Sequence, residues 1–168
     1  MNKCIFLDRD GVLNRERGDY TYKKEDFELI QGVVEAVKKI KENGFIIIVI
    51  TNQAGISRGR YDRQDMEACH EYLQKECGGI FDAIYYCPYH PSITTSIARK
   101  PDTLMFEKAI AKFNVDVNKS WMVGDKERDI IPANKLGIKT VLIDDKEPET
   151  IADFTSISLY KAVQDVIL

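Results

Sequence analysis

Two kinds of segment alternate along the chain. Short continuous apolar runs, Cys4 to Leu7, Phe45 to Ile50, Ala83 to Tyr86, Ser120 to Val123 and Thr140 to Ile143, have the length and composition of strands. The run from Phe45 to Ile50 has no polar alternation, as expected of a strand covered on both faces. Between the runs, apolar residues recur at helical spacing. Val33, Val34, Val37 and Ile40 mark one helix, which runs to Glu42 and stops at Gly44. Met66, Cys69 and Leu73 mark a second, capped by Asp62 and running to about Cys77. Met105, Phe106, Ile110 and Phe113 mark a third, with Asp102 as its cap, and a fourth ends at Leu136 before Gly137. A short apolar alternation near Phe154 and Ile157 precedes a last helix from about Leu159. This order predicts an α/β fold: a doubly wound parallel sheet with helices on both faces. No linker or repeat divides the chain, so a single domain over 1–168 is expected.

Composition narrows the function. Hydrophobic content of 44% with 30% charged residues is that of a soluble globular protein. A formal net charge of −3 argues against non-specific nucleic-acid binding, which needs a basic surface. No apolar run approaches the roughly 20 residues of a membrane span. After Lys3 the first apolar run lasts only to Leu7, too short for a signal peptide. Cytoplasmic residence is therefore expected, with Cys4, Cys69, Cys77 and Cys87 as reduced thiols. With no heptad and no long apolar patch, a monomer is the default expectation.

The chemistry gathers where strands end. Cys4-Ile5-Phe6-Leu7 runs into Asp8-Arg9-Asp10-Gly11, and in extended backbone Asp8 and Asp10 face the same side. A long polar, aromatic loop follows, from Asn14 to Glu28. Thr51-Asn52-Gln53 ends the second strand, Arg99-Lys100-Pro101 precedes the third helix, and Gly124-Asp125 with Asp129 follows the fourth strand. Strand C-termini in a parallel sheet share one edge, so these groups can converge on one pocket. Three carboxylates, a hydroxyl and an ammonium suit a phosphoryl group held on Mg²⁺, with Asp8, Asp10 and Asp125 as the metal set. In that scheme Asp8 attacks phosphorus and forms an aspartyl-phosphate. Asp10 protonates the leaving oxygen and then deprotonates water, its pKa raised by the like charge nearby. Thr51 and Lys100 stabilise charge on the phosphoryl oxygens, and Asp129 orients Lys100 or a metal-bound water. Arg58 and Arg60, flanking Gly59, suit anion recognition.

This order of motifs resembles the haloacid dehalogenase-like phosphohydrolase superfamily over essentially the whole chain. No insertion is long enough for the large cap domain that many members carry. Four stretches resemble the branch of heptose-bisphosphate and histidinol-phosphate phosphatases: Asp8 to Asn14, Thr51 to Gly59, Cys87-Pro88-x-His90-Pro91 and Arg99-Lys100-Pro101. The Gly55-Ile56-Ser57-Arg58-Gly59 run favours the heptose side of that branch. The resemblance implies a small phosphorylated sugar as substrate, with Arg99 reading its second phosphate or its sugar, helped by Lys126, Asn52 and Gln53. Members of the branch commonly hold a structural zinc through Cys-x-His and a later Cys-x-Cys. Here Cys87 and His90 stand three apart, and Ser96 and Ala98 replace the later pair. Tetrahedral zinc wants four ligands, so zinc is expected to be absent.

Two other classes stay open. Phosphorylation-receiver domains also set acids, a Thr and a Lys at strand ends, but they use adjacent acids on the first strand rather than Asp-x-Asp. An inactive relative acting as a binding module is the second, and the intact Asp8, Asp10, Thr51, Lys100 and Asp125 argue against it. Cys87 and His90 suit packing better than ligation, and Trp121 suits the core. His70 is expected as a surface or partly buried histidine, with no catalytic partner.

Overall fold

The computed structural model describes residues 1–146 and 149–168. Six strands, β1 (Cys4–Leu7), β2 (Ile46–Asn52), β3 (Ala83–Cys87), β4 (Trp121–Gly124), β5 (Lys139–Ile143) and β6 (Phe154–Ser156), form one sheet in the order β3-β2-β1-β4-β5-β6. Every neighbouring pair is parallel. Helices α1 (Val33–Glu42), α2 (Arg63–Glu76), α3 (Leu104–Phe113) and α4 (Glu127–Lys135) make the crossovers, and a short α5 (Leu159–Ala162) follows β6.

Packing follows the two-residue period of the strands. Ile5 and Leu7 of β1, with Ile47 and Val49 of β2, meet Val37 and Ile40 of α1, Leu73 of α2 and Leu159 of α5. Cys4 and Phe6, with Ile48 and Ile50, meet Met105 and Phe106 of α3 and Ala133 of α4 on the other face. Each of the four β1 residues is fully buried, which explains why that strand reads as an unbroken apolar run. The helices thus cover both faces, as the alternation predicts.

Two details differ from the sequence reading. The alternation near Phe154 becomes a sixth strand, and its mostly exposed residues carry no buried-strand signature. The third helix starts at Leu104, with Thr103 rather than Asp102 at its cap position. The Asp102 N–H donates to Arg99 O at 2.8 Å, so Asp102 belongs to the turn before the helix and cannot cap it. Asp62 does cap α2, in a reciprocal box with Asp65.

The sheet order reverses at β1. The chain moves outward through β2 to β3, then returns to β4 on the other side of β1. A crevice opens beyond the strand ends at such a reversal. Segments 8–32, 53–62 and 88–103 leave the C-terminal ends of β1, β2 and β3 as loops, and none forms a cap domain. Among the described residues no helix is long and apolar enough to cross a membrane.

Candidate active site

Leu7 is paired with Val49 on one side and Val123 on the other. The Asp8 N–H continues the ladder by donating to Val123 O at 3.0 Å, which fixes Asp8 beside the end of β4. There Asp8, Asp125 and Asp129 bring carboxylate oxygens within 4.8 Å of one another. Lys100 enters this group fully buried. Its Nζ donates to Asp8 Oδ1 at 2.8 Å and to Ile50 O at 2.6 Å, and forms an ion pair with Asp129 Oδ1 at 2.6 Å. Asn52 holds the Lys100 backbone in place: its Nδ2 donates to Lys100 O, and the Lys100 N–H donates to its Oδ1, each at 3.1 Å.

Two glycines allow the close approach. Gly11 has φ of +90°, and a Cβ there would stand 2.4 Å from Asp125 Oδ2. A Cβ at Gly124 would stand 2.3 Å from the Asp129 Cβ. The glycines of Asp-x-Asp-Gly and Gly-Asp-x3-Asp are therefore packing requirements of the carboxylate group.

The electrostatics of this group are unbalanced. Burial pushes the Asp8 carboxyl up to about 8, with the Asp129 charge adding to the rise and Lys100 only partly opposing it. Burial also raises Asp125, against the pull of the Lys126 ammonium 2.9 Å from its Oδ2. Burial alone would lower Lys100, but Asp129 and Asp8 outweigh it and hold the ammonium above its ordinary value. Asp125 Oδ1 is buried without a hydrogen-bond partner. A buried, unpartnered carboxylate oxygen among surplus negative charge is costly unless a cation satisfies it. Hard oxygen donors of this kind fit Mg²⁺.

Asp10 is held differently, outside that group. Arg9 grips its carboxylate with two bonds, Nε to Oδ2 at 3.1 Å and Nη2 to Oδ1 at 2.9 Å. Asn14 Nδ2 adds a bond of 3.0 Å and Gln53 Nε2 one of 3.2 Å. Burial would raise the Asp10 pKa, but the Arg9 guanidinium and these hydrogen bonds hold it below the usual carboxylate range. This corrects the expectation of a raised pKa: the decisive neighbour is the buried cation, not Asp8. Arg9 also donates to Thr21 O at 2.8 Å, and its Nη1 lies 3.4 Å from His70 Nε2. His70 is buried rather than at the surface, and burial with the Arg9 charge pushes its pKa down to about 3. Since the guanidinium only donates, His70 Nε2 accepts and the ring proton sits on Nδ1.

Asp8, Asp10, Thr51, Asn52, Gln53 and Lys100 line one cavity of about 620 Å³, with the exposed side chains of Arg58, Arg60 and Arg128 at its rim. Arg58 donates to Tyr20 OH at 3.0 Å. The side-chain amides of Asn52 and Gln53 are both engaged by protein groups. Arg99 does not line this cavity; its Nη1 donates to Tyr89 O at 3.1 Å. Burial and the nearby Arg128 charge lower its pKa. Lys126 and Asp125 line an adjoining cleft of about 350 Å³. Cys87 is buried at the end of β3, and His90 Nδ1 lies 2.7 Å from Ser92 Oγ. The loop they bound is fastened to the one after β2: the His90 N–H donates to Ser57 Oγ at 2.8 Å and the Ser57 N–H to Pro88 O at 3.1 Å.

Sequence reasoning passed over Arg9, Tyr61 and Arg128. For Arg9 a signal was present, since period two turns it to the opposite side of the strand from Asp8 and Asp10. For Tyr61 and Arg128 no local pattern exists.

A family model described as haloacid dehalogenase-like hydrolase matches residues 9–143. The chain is 38% identical over 150 residues to the D-glycero-beta-D-manno-heptose-1,7-bisphosphate 7-phosphatase of Haemophilus ducreyi, covering 84% of this chain and 82% of that protein. It is 36% identical over 176 residues to the D-glycero-alpha-D-manno-heptose-1,7-bisphosphate 7-phosphatase of Burkholderia mallei, covering 99% and 92%. Among solved structures, the D,D-heptose 1,7-bisphosphate phosphatase from B. bronchiseptica, complexed with magnesium and phosphate, superposes with a TM-score of 0.86 at 25% identity, covering 96% of each chain.

Proposed function

We propose that this chain, which belongs to the haloacid dehalogenase-like hydrolases, is a phosphatase that removes the 7-phosphate of D-glycero-D-manno-heptose 1,7-bisphosphate. The observation that carries the reading is the buried group at the cavity floor: Asp8 bonded to Lys100 and adjoining the unpartnered oxygen of Asp125. The heptose substrate is supported by the names of relatives that match most of the chain, and the arginines at the cavity rim suit a substrate with a second anionic group.

In this scheme an Asp8 oxygen attacks phosphorus, the bond to the sugar oxygen breaks, and an aspartyl-phosphate forms. The sugar alkoxide takes a proton through Asp10. Asp10 is held ionised by Arg9, so that proton arrives with the monoanionic form of the phosphate ester, whose last proton has a pKa of about 6. Water then attacks the aspartyl-phosphate, Asp10 draws its proton toward the departing phosphate, and Asp8 is regenerated. Lys100 and Thr51 stabilise charge on the phosphoryl oxygens. Of the proposed substrate-binding residues, Arg58 faces the cavity with Arg128 beside it; Arg99 and Lys126 stand outside it, and Asn52 and Gln53 line it with their amides already engaged by protein groups. Asp8, Asp10 and Asp125 form the proposed metal set, and Asp125 offers the unpartnered oxygen. Mg²⁺ bound there would neutralise charge on the phosphate and lower the repulsion between it and Asp8.

The test is steady-state phosphate release with Mg²⁺ across both anomers of heptose 1,7-bisphosphate, histidinol phosphate, fructose 1,6-bisphosphate and an aryl phosphate. A heptose bisphosphate is expected to lead in kcat/KM by about two orders of magnitude. A lead by histidinol phosphate would keep the chemistry and overturn the substrate. Asp8→Asn is expected to lower kcat by about 10³-fold or more with the fold intact, and an active Asp8→Asn protein would overturn the nucleophile assignment. No release by wild type would return the binding-module reading.

A further inference from the structure

A buried relay runs from Tyr61, in the loop after β2, through Gln53 to Thr51 and Asp10. Tyr61 OH donates to Gln53 Oε1 at 2.6 Å. Gln53 Nε2 donates to Thr51 Oγ1 at 2.9 Å and to Asp10 Oδ2 at 3.2 Å. Tyr61, Gln53 and Thr51 are all buried. Chemistry sets the direction of the relay: an ionised carboxylate only accepts, so Gln53 must turn its NH₂ toward Asp10 and its carbonyl toward Tyr61. Tyr61 must then donate. Because Gln53 occupies a lone pair of Thr51, the hydroxyl proton of Thr51 is left to point elsewhere, toward a phosphoryl oxygen in the cavity.

The Tyr61 ring is itself fixed. It stacks on Tyr22, with centroids 5.1 Å apart and planes 6° from parallel, and meets the edge of Tyr20 at 5.7 Å. Gly55 lies so close that a Cβ there would stand 2.1 Å from the ring. Tyr20 in turn accepts from Arg58 at the cavity rim.

We infer that Tyr61 is a positioning residue: by holding the Gln53 amide in one orientation it aims Asp10 and Thr51 together at the phosphoryl group. The inference rests on the reaction read above. Without the tyrosine hydroxyl the Gln53 carbonyl loses its partner and the amide its fixed position, so Asp10 and Thr51 would lose their common anchor. A group that acts on aim rather than on binding affects the transition state more than the ground state.

Tyr61→Phe keeps the ring, the Tyr22 stack and the Gly55 contact while removing the donor. Its kcat is expected to fall about fivefold to tenfold with KM within about twofold of wild type. In a Gln53→Ala background the same change is expected to cause no further loss, since the two residues act through one path. An unchanged kcat, a loss confined to KM, or losses that multiply in the double variant would each overturn the inference. A second readout needs no turnover: nitrogen-15 NMR of the full chain should give an exchange-protected Gln53 side-chain amide in wild type and lose that protection in Tyr61→Phe. Protection that survives in Tyr61→Phe overturns the inference even if wild type proves inactive, an outcome that would count separately against the phosphatase reading.

Discussion

Asp8 and Asp10 stand two residues apart at the end of one strand, in opposite electrostatic surroundings. Around Asp8, two of three carboxylates share the buried Lys100, buried oxygens of Asp125 and Asp129 have no hydrogen-bond partner, and the Asp8 carboxyl is pushed up to about 8. Around Asp10, a buried guanidinium, Asn14 and Gln53 bond the carboxylate, and its pKa is held below the usual range. Both side chains suffer desolvation and both touch a cation, so neither separates them; Asp8 shares Lys100 with Asp129 beside a further carboxylate, whereas Asp10 has the Arg9 guanidinium to itself. The unbalanced side suits the cation and phosphate of the proposed reaction. On the balanced side all of the Asp10 carboxylate's partners come from the protein itself.

The largest expected effect lies at Lys100. Lys100→Met removes the buried cation from the unbalanced side, and kcat should fall by about 10²-fold to 10⁴-fold. It should also destabilise the metal-free protein by about 3–5 kcal/mol, because buried carboxylates lose their partner. Urea unfolding with and without Mg²⁺ checks this: the variant should gain more from Mg²⁺ than wild type does, and an equal gain would mean that Lys100 and the metal do not answer to the same charge.

On the balanced side the expected loss is in stability first. Arg9→Met leaves Asp10 half-buried without its ion pair and should cost about 2–4 kcal/mol in urea unfolding at pH 7. Adding Asp10→Asn to that variant should recover part of the loss, since no buried charge is then left alone. Failure to recover would show that Arg9 stabilises instead through its bond to Thr21 O and its guanidinium, which stands 5.5 Å over the Phe27 ring.

The smallest effect belongs to His70, at the far end of the same network. Its pKa is about 3 in the folded chain against an ordinary value of 6.5, so between these values the unfolded chain binds more protons. Its contribution is therefore fully present above about pH 6.5 and is lost progressively as pH falls. At about pH 5.5 the loss should be about 1.4 kcal/mol relative to neutral pH. His70→Gln should flatten that part of the stability profile, and an unchanged slope would place the acid sensitivity elsewhere.

What the sequence makes legible follows from these distances along the chain. β1, β2 and β4 announce themselves because burial on both faces leaves continuous apolar runs. The convergence of Asp8, Thr51, Lys100 and Asp125 follows from a rule about where parallel strands end. β6 escapes because it is short and mostly exposed, and Asp102 misleads because a turn occupies it before the helix begins. The Arg9 network escapes for a different reason. Arg9 and His70 are 61 positions apart, and the approach of Tyr61 to Gly55 and Gln53 depends on how two loops pack. Residue type and spacing carry no record of either contact, so the inversion of the Asp10 pKa could not be read from the neighbouring aspartate alone.

The switch in strand order at β1 also sets when the site can exist during synthesis. Asp8 is made early, yet its lysine comes 92 positions later, and β4, which closes the open side of β1, comes later still. A nascent chain that has paired β1 with β2 and β3 still presents β1 as a bare edge, with its aspartate in water. The surplus of carboxylates that suits the proposed metal therefore arises only when β4 docks, bringing Asp129 against Lys100 and Asp125 beside Asp8. A partly made chain exposes the aspartates singly, so synthesis must pass Asp129 before the proposed metal centre can assemble.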